Sequence, residues 1–315
     1  MKKILVIGEI LVEIMAETRG VGFGDVQALT GPYPSGAPAI FAAQAATLGH
    51  PIAIVGSVGD DDFGRVNLAR LADYGVDISG VRVDPDRPTG SAFVRYRAGG
   101  ERDFVFNIRH SAAGLVQKTG AGGALLATAD HFHVAGSSLW CQDTLAVILA
   151  AVRAVKGRGG TVSFDPNLRK EMLADAELAV AMRRILAVTD LYLPSGDELA
   201  LLTTAESRVT AIRELLERGV KVIVHKDGAR GASYHDAGQT IVNRGFLQEA
   251  VDPTGAGDCF GATFVTLWLR GCAPERALAL ACASGALAVQ KRGPMEGTAD
   301  LEALEVLVAT GCNST

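Results

Sequence analysis

Glu249–Gly271 reads EAVDPTGAGDCFGATFVTLWLRG, a loop of small and acidic residues running straight into an apolar helix pattern that starts at Phe260. Gly255, Ala256 and Gly257 are small enough for backbone N–H groups to approach a ligand closely. Where such a loop opens a helix, the unpaired N–H groups and the helix dipole favour an anion by about 1–2 kcal/mol in a partly buried site. Asp258 falls in the first turn, where an aspartate either caps the helix or acts on a substrate proton. Two glycines together with Asp252 and Thr254 exceed what a cap requires. A carboxylate beside an anion hole is the arrangement phosphoryl transfer needs, one group accepting a hydroxyl proton while fixed dipoles stabilise the phosphoryl in flight. A dinucleotide-binding fingerprint is excluded here, because Phe260 occupies the third-glycine position of G-x-G-x-x-G, and "VIGEI" after the first strand does not supply one either.

Away from this loop, short apolar runs alternate with helical patterns. "KKILVIG", "PIAIVGSVG", "DHFHVAG", "GTVSFD", "TDLYLP" and "VKVIVHK" have strand character; residues 39–48, 63–74, 144–156 and 209–218 have helical spacing. The series predicts an α/β protein with a doubly wound, mostly parallel sheet and helices on both faces. The nearly all-apolar strands are those of a sheet covered on both sides. "GSAFVRYRAGGERDFVFNIRH", residues 90–110, is instead a hairpin with alternating polarity around an Ala-Gly-Gly turn. We therefore expect one domain over 1–315, with insertions at about 10–34 and 88–112 forming a small β-sheet, either a lid over the site or an ordinary edge extension.

The bulk properties narrow the ligand. The 315 residues are 48% hydrophobic and include 37 glycines, which places the chain among globular α/β proteins rather than disordered ones. A net charge of -5 argues against a broad nucleic-acid surface and leaves a small molecule as ligand. Five cysteines (Cys141, Cys259, Cys272, Cys282, Cys312) without a CxxC pair point to reduced packing residues, not disulfides or zinc. Glu9, Glu13 and Glu17 interrupt the first apolar run, and no run reaches the roughly 18 residues of a membrane span. The expectation is a cytoplasmic protein with neither nucleic-acid nor membrane partners.

Residues 31–41, GPYPSGAPAIF, start like a P-loop and then lack its Lys-Ser/Thr, offering Ala37 and Pro38 instead. The order of motifs nevertheless resembles a known family, the ribokinase-like (PfkB) carbohydrate kinases. "DPTGAGDCF" is similar to that family's second signature, and the Gly-rich turn at Gly36, "VGDDDFG" at 58–64, "FDPNLR" at 164–169 and "HKDGARG" at 225–231 agree in order and spacing. The resemblance covers nearly the whole chain. It implies a ribokinase-like fold, ATP as phosphoryl donor, Mg²⁺ as metal and K⁺ as a further candidate cation. It also implies Asp258 as catalytic base and Gly255, Ala256 and Gly257 as anion hole. Lys226, Gly228 and Gly231 would border the nucleotide, with Asn167, Thr254 and Asp252 nearby; "KDGARG" also satisfies a plain strand-to-strand turn. Asp165, Asn167 and Arg169 lie just past a strand end, where doubly wound sheets place ligands, and turn chemistry accounts for them as well. Glu198 in "LPSGDEL" matches the glutamate of the family's N-x-x-E motif for Mg²⁺ and phosphate, with Ser195 in place of the asparagine.

On the sugar side the chain departs from the pattern. Glu13 stands where the family carries an Asp, its carboxylate about 1.5 Å further out. Gly-Gly-x-x-x-Asn becomes Ser35, Gly36, Ala37, Pro38, Ala39, Ile40, and isoleucine cannot hydrogen-bond a hydroxyl; an unpaired buried hydroxyl costs about 1–3 kcal/mol. Arg95, Arg97 and Arg109 in the hairpin are replacement contacts or a solvated face. "NIRHSAA" resembles the Arg-x-x-Ser-Ala region of 2-keto-3-deoxygluconate kinases, one residue shorter, and "SFDPNLR" and "GEILVEI" are similar to the tagatose kinase and ketodeoxygluconate kinase branch. The resemblance thus implies a kinase acting on a terminal hydroxyl, foremost the 6-OH of a ketohexose such as tagatose or fructose. The alternatives are 2-keto-3-deoxygluconate as acceptor and, from another class, a non-catalytic sugar sensor. It also implies a homodimer formed through the lid sheet.

Overall fold

The computed structural model describes residues 1–99, 101–168 and 176–311. Arg169, Cys312 and Gly100 of the hairpin turn lie outside the described residues. The apolar runs become β1 (Ile4–Ile7), β4 (Ile52–Gly59), β8 (His131–Ala135), β9 (Thr161–Asp165), β10 (Leu191–Tyr192) and β11 (Val222–Lys226). With β5 (Asp77–Asp84), β12 (Ala232–His235) and β13 (Thr240–Asn243) they form one sheet in the order β13-β12-β11-β10-β9-β8-β1-β4-β5. Pairing is parallel from β11 to β5, and antiparallel only at the β12 and β13 edge.

Alternate side chains of β1 show why this strand carries no polar face. Ile4 and Val6 enter a core with α1 (Ala37–Thr47), α8 (Ala256–Leu269), α9 (Pro274–Ala288) and α10 (Leu301–Gly311). Leu5 and Ile7 enter a second core with α4 (Gln142–Gly157), α5 (Ala176–Leu186) and α7 (Arg208–Glu217). Helices α1 and α8 are buried along most of their lengths, which explains why "AIFAAQAATLG" and "CFGATFVTLW" are apolar nearly all round. Cys259 and Cys282 are buried in the first core as free thiols, while Cys141 and Cys272 are half-buried.

β10 is two residues long, shorter than "TDLYLP" suggests, because Pro194 has no N–H to extend the ladder. The edge strands β12 and β13 were not anticipated: each has four residues, and β13 alternates exposed and half-buried positions with no apolar run.

The remaining strands, β2 (Leu11–Ala16), β3 (Leu29–Ser35), β6 (Gly90–Tyr96) and β7 (Arg102–Asn107), make a second sheet in the order β3-β2-β6-β7. Two antiparallel hairpin-like pairs are joined by the parallel β2–β6 pair. The chain passes from β1 into β2 through Gly8, Glu9 and Ile10. Glu9 is clamped there, accepting hydrogen bonds from Ser137 Oγ at 2.7 Å and Ser138 Oγ at 2.5 Å. Among the described residues no helix is long and apolar enough to cross a membrane.

Candidate active site

A cavity of about 590 Å³ lies between the C-terminal ends of the parallel strands and the small sheet. Open α/β sheets place ligands at that edge. Asp165 closes β9, Lys226 closes β11, and Ser195 and Glu198 follow β10. From the small sheet come Glu13, Ala92, Arg102, Phe104 and Phe106, with Arg97 just beyond β6. Ser35, Gly36, Ala37 and Ile40 enter from the start of α1, and Thr254, Gly255, Gly257 and Asp258 from the start of α8.

Gly255 caps α8 at φ 79, in the left-handed region, and a Cβ there would run into the carbonyl oxygen of Pro294. Both constraints require glycine. The first helical hydrogen bond runs from Cys259 N to Gly255 O at 2.8 Å, so N–H groups of the preceding first turn have no carbonyl four residues back. Asp258 Oδ1 accepts from Asn167 Nδ2 at 3.4 Å. Asn167 is held at φ 40, a left-handed conformation that asparagine tolerates better than most residues, and its own N–H donates to Asp165 Oδ1 at 3.2 Å. Just upstream, buried Asp252 fastens the loop: Oδ1 accepts from Thr254 N at 3.0 Å and Thr254 Oγ1 at 2.7 Å, and Oδ2 accepts from Gly293 N at 3.1 Å.

Lys226 is the buried cation of the cavity. Its ammonium is ion-paired with Asp165, and a Cβ on Gly257 would lie 3.7 Å from Nζ. Burial alone would lower the Lys226 pKa, but Asp165, Glu198 and Asp258 together raise it above its ordinary value, so the side chain is held charged. Glu198 is raised above the ordinary carboxylate value, first by burial and then by the charge of Asp165; Lys226 and two backbone N–H bonds oppose this. Those bonds come from Leu168 N to Oε1 and from Ser195 N to Oε2, both at 2.7 Å. Ser195 therefore serves Glu198 through its backbone, which any residue other than proline supplies.

Glu13 and Ser35, both departures from the family pattern, touch each other: Ser35 Oγ donates to Glu13 Oε1 at 2.7 Å. Gly36, at φ 111, passes so close to the Glu9 backbone that a Cβ would collide with its carbonyl oxygen. Ile40 is 2% exposed, and its Cγ2 lies 3.3 Å from where a Cβ on Gly255 would stand. The isoleucine thus packs on the Gly255 loop itself.

Several expected site residues lie elsewhere. Arg95 occupies the outward face of β6, paired with Asp103 at 2.8 Å, because strand side chains alternate and Ala92, Val94 and Tyr96 take the inward face. Arg109 lies over Trp140, 6.0 Å from the ring centroid, and borders a separate cavity of about 570 Å³ with Phe63, Pro88 and His110. Gly228 and Gly231 do not line the Asp258 cavity. They shape the β11–β12 turn, and Gly231, at φ 92, packs against the Asn243–Gly245 backbone. Asp252 is buried behind the loop rather than in the cavity. The residues missed are Arg102, Phe104 and Phe106, which share the inward face of β7. The alternation of Phe104 and Phe106 was their signal, and it needed only the strand's orientation.

Among the described residues no three His, Cys, Asp or Glu side chains gather as a metal site. Both Glu198 oxygens already accept backbone N–H groups, so a ready-made protein cage for a cation does not fit. A hydrated Mg²⁺ carried on phosphates beside Glu198 does.

Comparisons with known proteins show the fold and the family. A 2-dehydro-3-deoxygluconokinase of Thermoproteus tenax is 33% identical over 98% of this chain and 95% of its own. A crystal structure of an E. coli protein provisionally assigned as ribokinase II, in complex with ATP and Mg²⁺, superposes with a TM-score of 0.93 at 45% identity, covering 98% of this chain and 100% of that one. A Vibrio cholerae fructokinase with bound fructose, ADP and calcium ion gives a TM-score of 0.85 at 27% identity, over 98% and 99% of the two chains. The profile of the pfkB family carbohydrate kinases matches residues 1–300, and the chain belongs to that family of sugar kinases.

Proposed function

We propose that this sugar kinase transfers the γ-phosphoryl group of ATP to the terminal hydroxyl of a six-carbon keto sugar, foremost the 6-OH of a ketohexose such as tagatose or fructose. The observation that carries the reading is the meeting of Asp258 and the open N–H groups of the α8 first turn in one cavity with Glu13. In this reading Asp258 accepts the proton of the attacking hydroxyl, and the Gly255–Gly257 backbone receives the charge on the transferring phosphoryl. Asn167 orients Asp258. Lys226 keeps Asp165 and Asp258 from repelling an arriving triphosphate. Glu198 would hold a hydrated Mg²⁺, which would supply positive charge to offset that of the phosphates. Glu13, with Ser35 behind it, is the acceptor for sugar hydroxyls, while Ile40 gives that wall an apolar patch.

The V. cholerae fructokinase, which binds fructose, supports a ketohexose. The second reading is 2-keto-3-deoxygluconate, favoured by the T. tenax relative and by a cavity cation, Arg102, that has no carboxylate pair among the described residues. A sugar sensor is the weaker account, since binding alone needs no carboxylate in the anion hole. An ADP-release assay over ketohexoses, pentoses and aldonic keto acids tests these readings. Turnover with tagatose or fructose at the highest kcat/KM is expected, and turnover with none of the panel would sink the proposal.

A further inference from the structure

Three cations line the catalytic cavity among the described residues: Arg97, Arg102 and Lys226. Two are already matched to carboxylates. Arg97 makes a forked pair with Asp103, with Nε at 2.9 Å and Nη2 at 2.8 Å, and Lys226 is held by Asp165. Arg102 differs. It rises from the start of β7, half-buried, with its guanidinium carbon 5.6 Å above the Phe104 ring and Nη1 donating to Thr254 Oγ1 at 2.6 Å. Thr254 immediately precedes Gly255, so this bond sets a small-sheet guanidinium beside the anion-hole loop. A guanidinium carries five N–H donors in a planar fork suited to phosphate or carboxylate oxygens. One donor is used on a neutral hydroxyl, and no described carboxylate pairs with the rest.

The aromatic contact and the Thr254 bond both hold the fork in place. Thr254 Oγ1 in turn donates to buried Asp252, so it has lone pairs to offer Arg102 and no proton to spare for it. Tyr96, the cross-strand partner of Arg102, also stands against Asp252. The guanidinium is thus anchored to the loop through two neighbouring strands, at the end of the cavity where phosphoryl oxygens would lie. A partly desolvated, positioned cation next to a helix N-terminus is worth more to an anion than either feature alone.

We propose that Arg102 is a substrate-contacting residue of the small sheet that donates its free fork to an oxyanion in the cavity. That oxyanion is either on the phosphoryl group in transfer or on the carboxylate of an acidic acceptor. The proposal rests on the kinase reading above and adds a residue that the family signatures in this sequence do not include.

The test compares wild type with Arg102→Gln and Arg102→Lys. Two readouts are kcat and KM for fructose and for 2-keto-3-deoxygluconate at saturating MgATP; a third is calorimetric affinity for MgADP–aluminium fluoride, a phosphoryl mimic. If the oxyanion is the phosphoryl group, Arg102→Gln lowers kcat about thirtyfold or more on every acceptor turned over and weakens the mimic at least tenfold, with partial recovery in Arg102→Lys. If it is the acceptor carboxylate, KM rises selectively for the acidic sugar while the mimic binds as before. Changes under threefold in all readouts overturn the proposal. So does a loss of kcat that tracks a lowered unfolding temperature, stays unrescued by lysine and leaves the mimic unaffected. Should the wild type turn over neither sugar, the acceptor reading fails, and the MgADP–aluminium fluoride affinities alone decide the role of Arg102.

Discussion

Ser35 and Glu13 are joined by a buried 2.7 Å hydrogen bond, which couples two departures from the family's sugar-binding pattern. The longer glutamate is braced by a hydroxyl that the usual glycine could not supply. Ser35→Gly is expected to raise the acceptor KM about tenfold, through loss of a hydrogen bond to a charged group worth roughly 1.5–3 kcal/mol. Glu13→Asp should cost at least as much. The double variant Glu13→Asp/Ser35→Gly restores the ordinary family residues, and its cost should fall short of the sum of the singles. Strict additivity in that cycle would show that the pair does not act as a unit.

Asp258→Asn keeps size and hydrogen bonding but cannot take a proton at neutral pH. We expect kcat to fall at least about a hundredfold with little change in sugar affinity measured by calorimetry. A near-normal kcat would remove Asp258 from the base role.

Ile40→Asn reinstates a donor and acceptor against the Gly255 loop. With acceptors carrying a hydroxyl at that wall, kcat/KM is expected to rise about tenfold relative to wild type. With a deoxy acceptor such as 2-keto-3-deoxygluconate it should fall, because a buried amide is left without a partner. An equal change on both acceptors would place Ile40 outside the acceptor-recognition surface.

Removing Lys226 strands carboxylates in a buried setting. Lys226→Met should lower unfolding stability by about 3–5 kcal/mol in urea titrations, and Lys226→Met/Asp165→Asn by distinctly less, because the second change removes the uncompensated charge. Equal losses in the single and double variants would show that the pair contributes nothing beyond packing.

Burial lowers the pKa of His50, His131, His133, His225 and His235, and these rings together set the acid limb of stability. His131 is hydrogen-bonded to Thr161 and Ser163, and His133 to Ser163. Burial lowers the His131 pKa to about 3 and holds His133 well below its ordinary 6.5. The unfolded chain therefore binds protons that the folded chain refuses. Their contribution is complete above about pH 6.5 and drains as pH falls below it, by up to about 1.4 kcal/mol per pH unit for each ring. Urea titrations between pH 7 and pH 5 should show this slope, reduced by one such increment in His131→Gln. An unchanged slope in that variant would mean that His131 titrates normally in the folded state.

What the sequence disclosed was local. Gly255 and Asp258 were legible because a left-handed cap and a first-turn carboxylate leave their mark within four residues. The hairpin was legible by its alternation, yet which face met the cavity was not: Arg95 and Arg102 differ in parity, and the pairing of Tyr96 with Arg102 is a fact of register across the turn. The Lys226–Asp165 pair was hidden for another reason. The two are 61 positions apart and meet because β9, β10 and β11 lie side by side, an order that no short motif records. Of "HKDGARG", the lysine lines the cavity, while Gly228 and Gly231 shape the turn beyond it.

In the proposed reading the cavity takes its acceptor wall from the first third of the chain, at Glu13, Ser35 and Ile40, and its base and anion hole from the last third, at Gly255–Asp258. Substitutions on the acceptor wall therefore fall on different elements from those that carry the base and anion hole. Ile40 is where this independence ends, because it packs on Gly255. A substitution there touches the acceptor wall and the Gly255 loop at once.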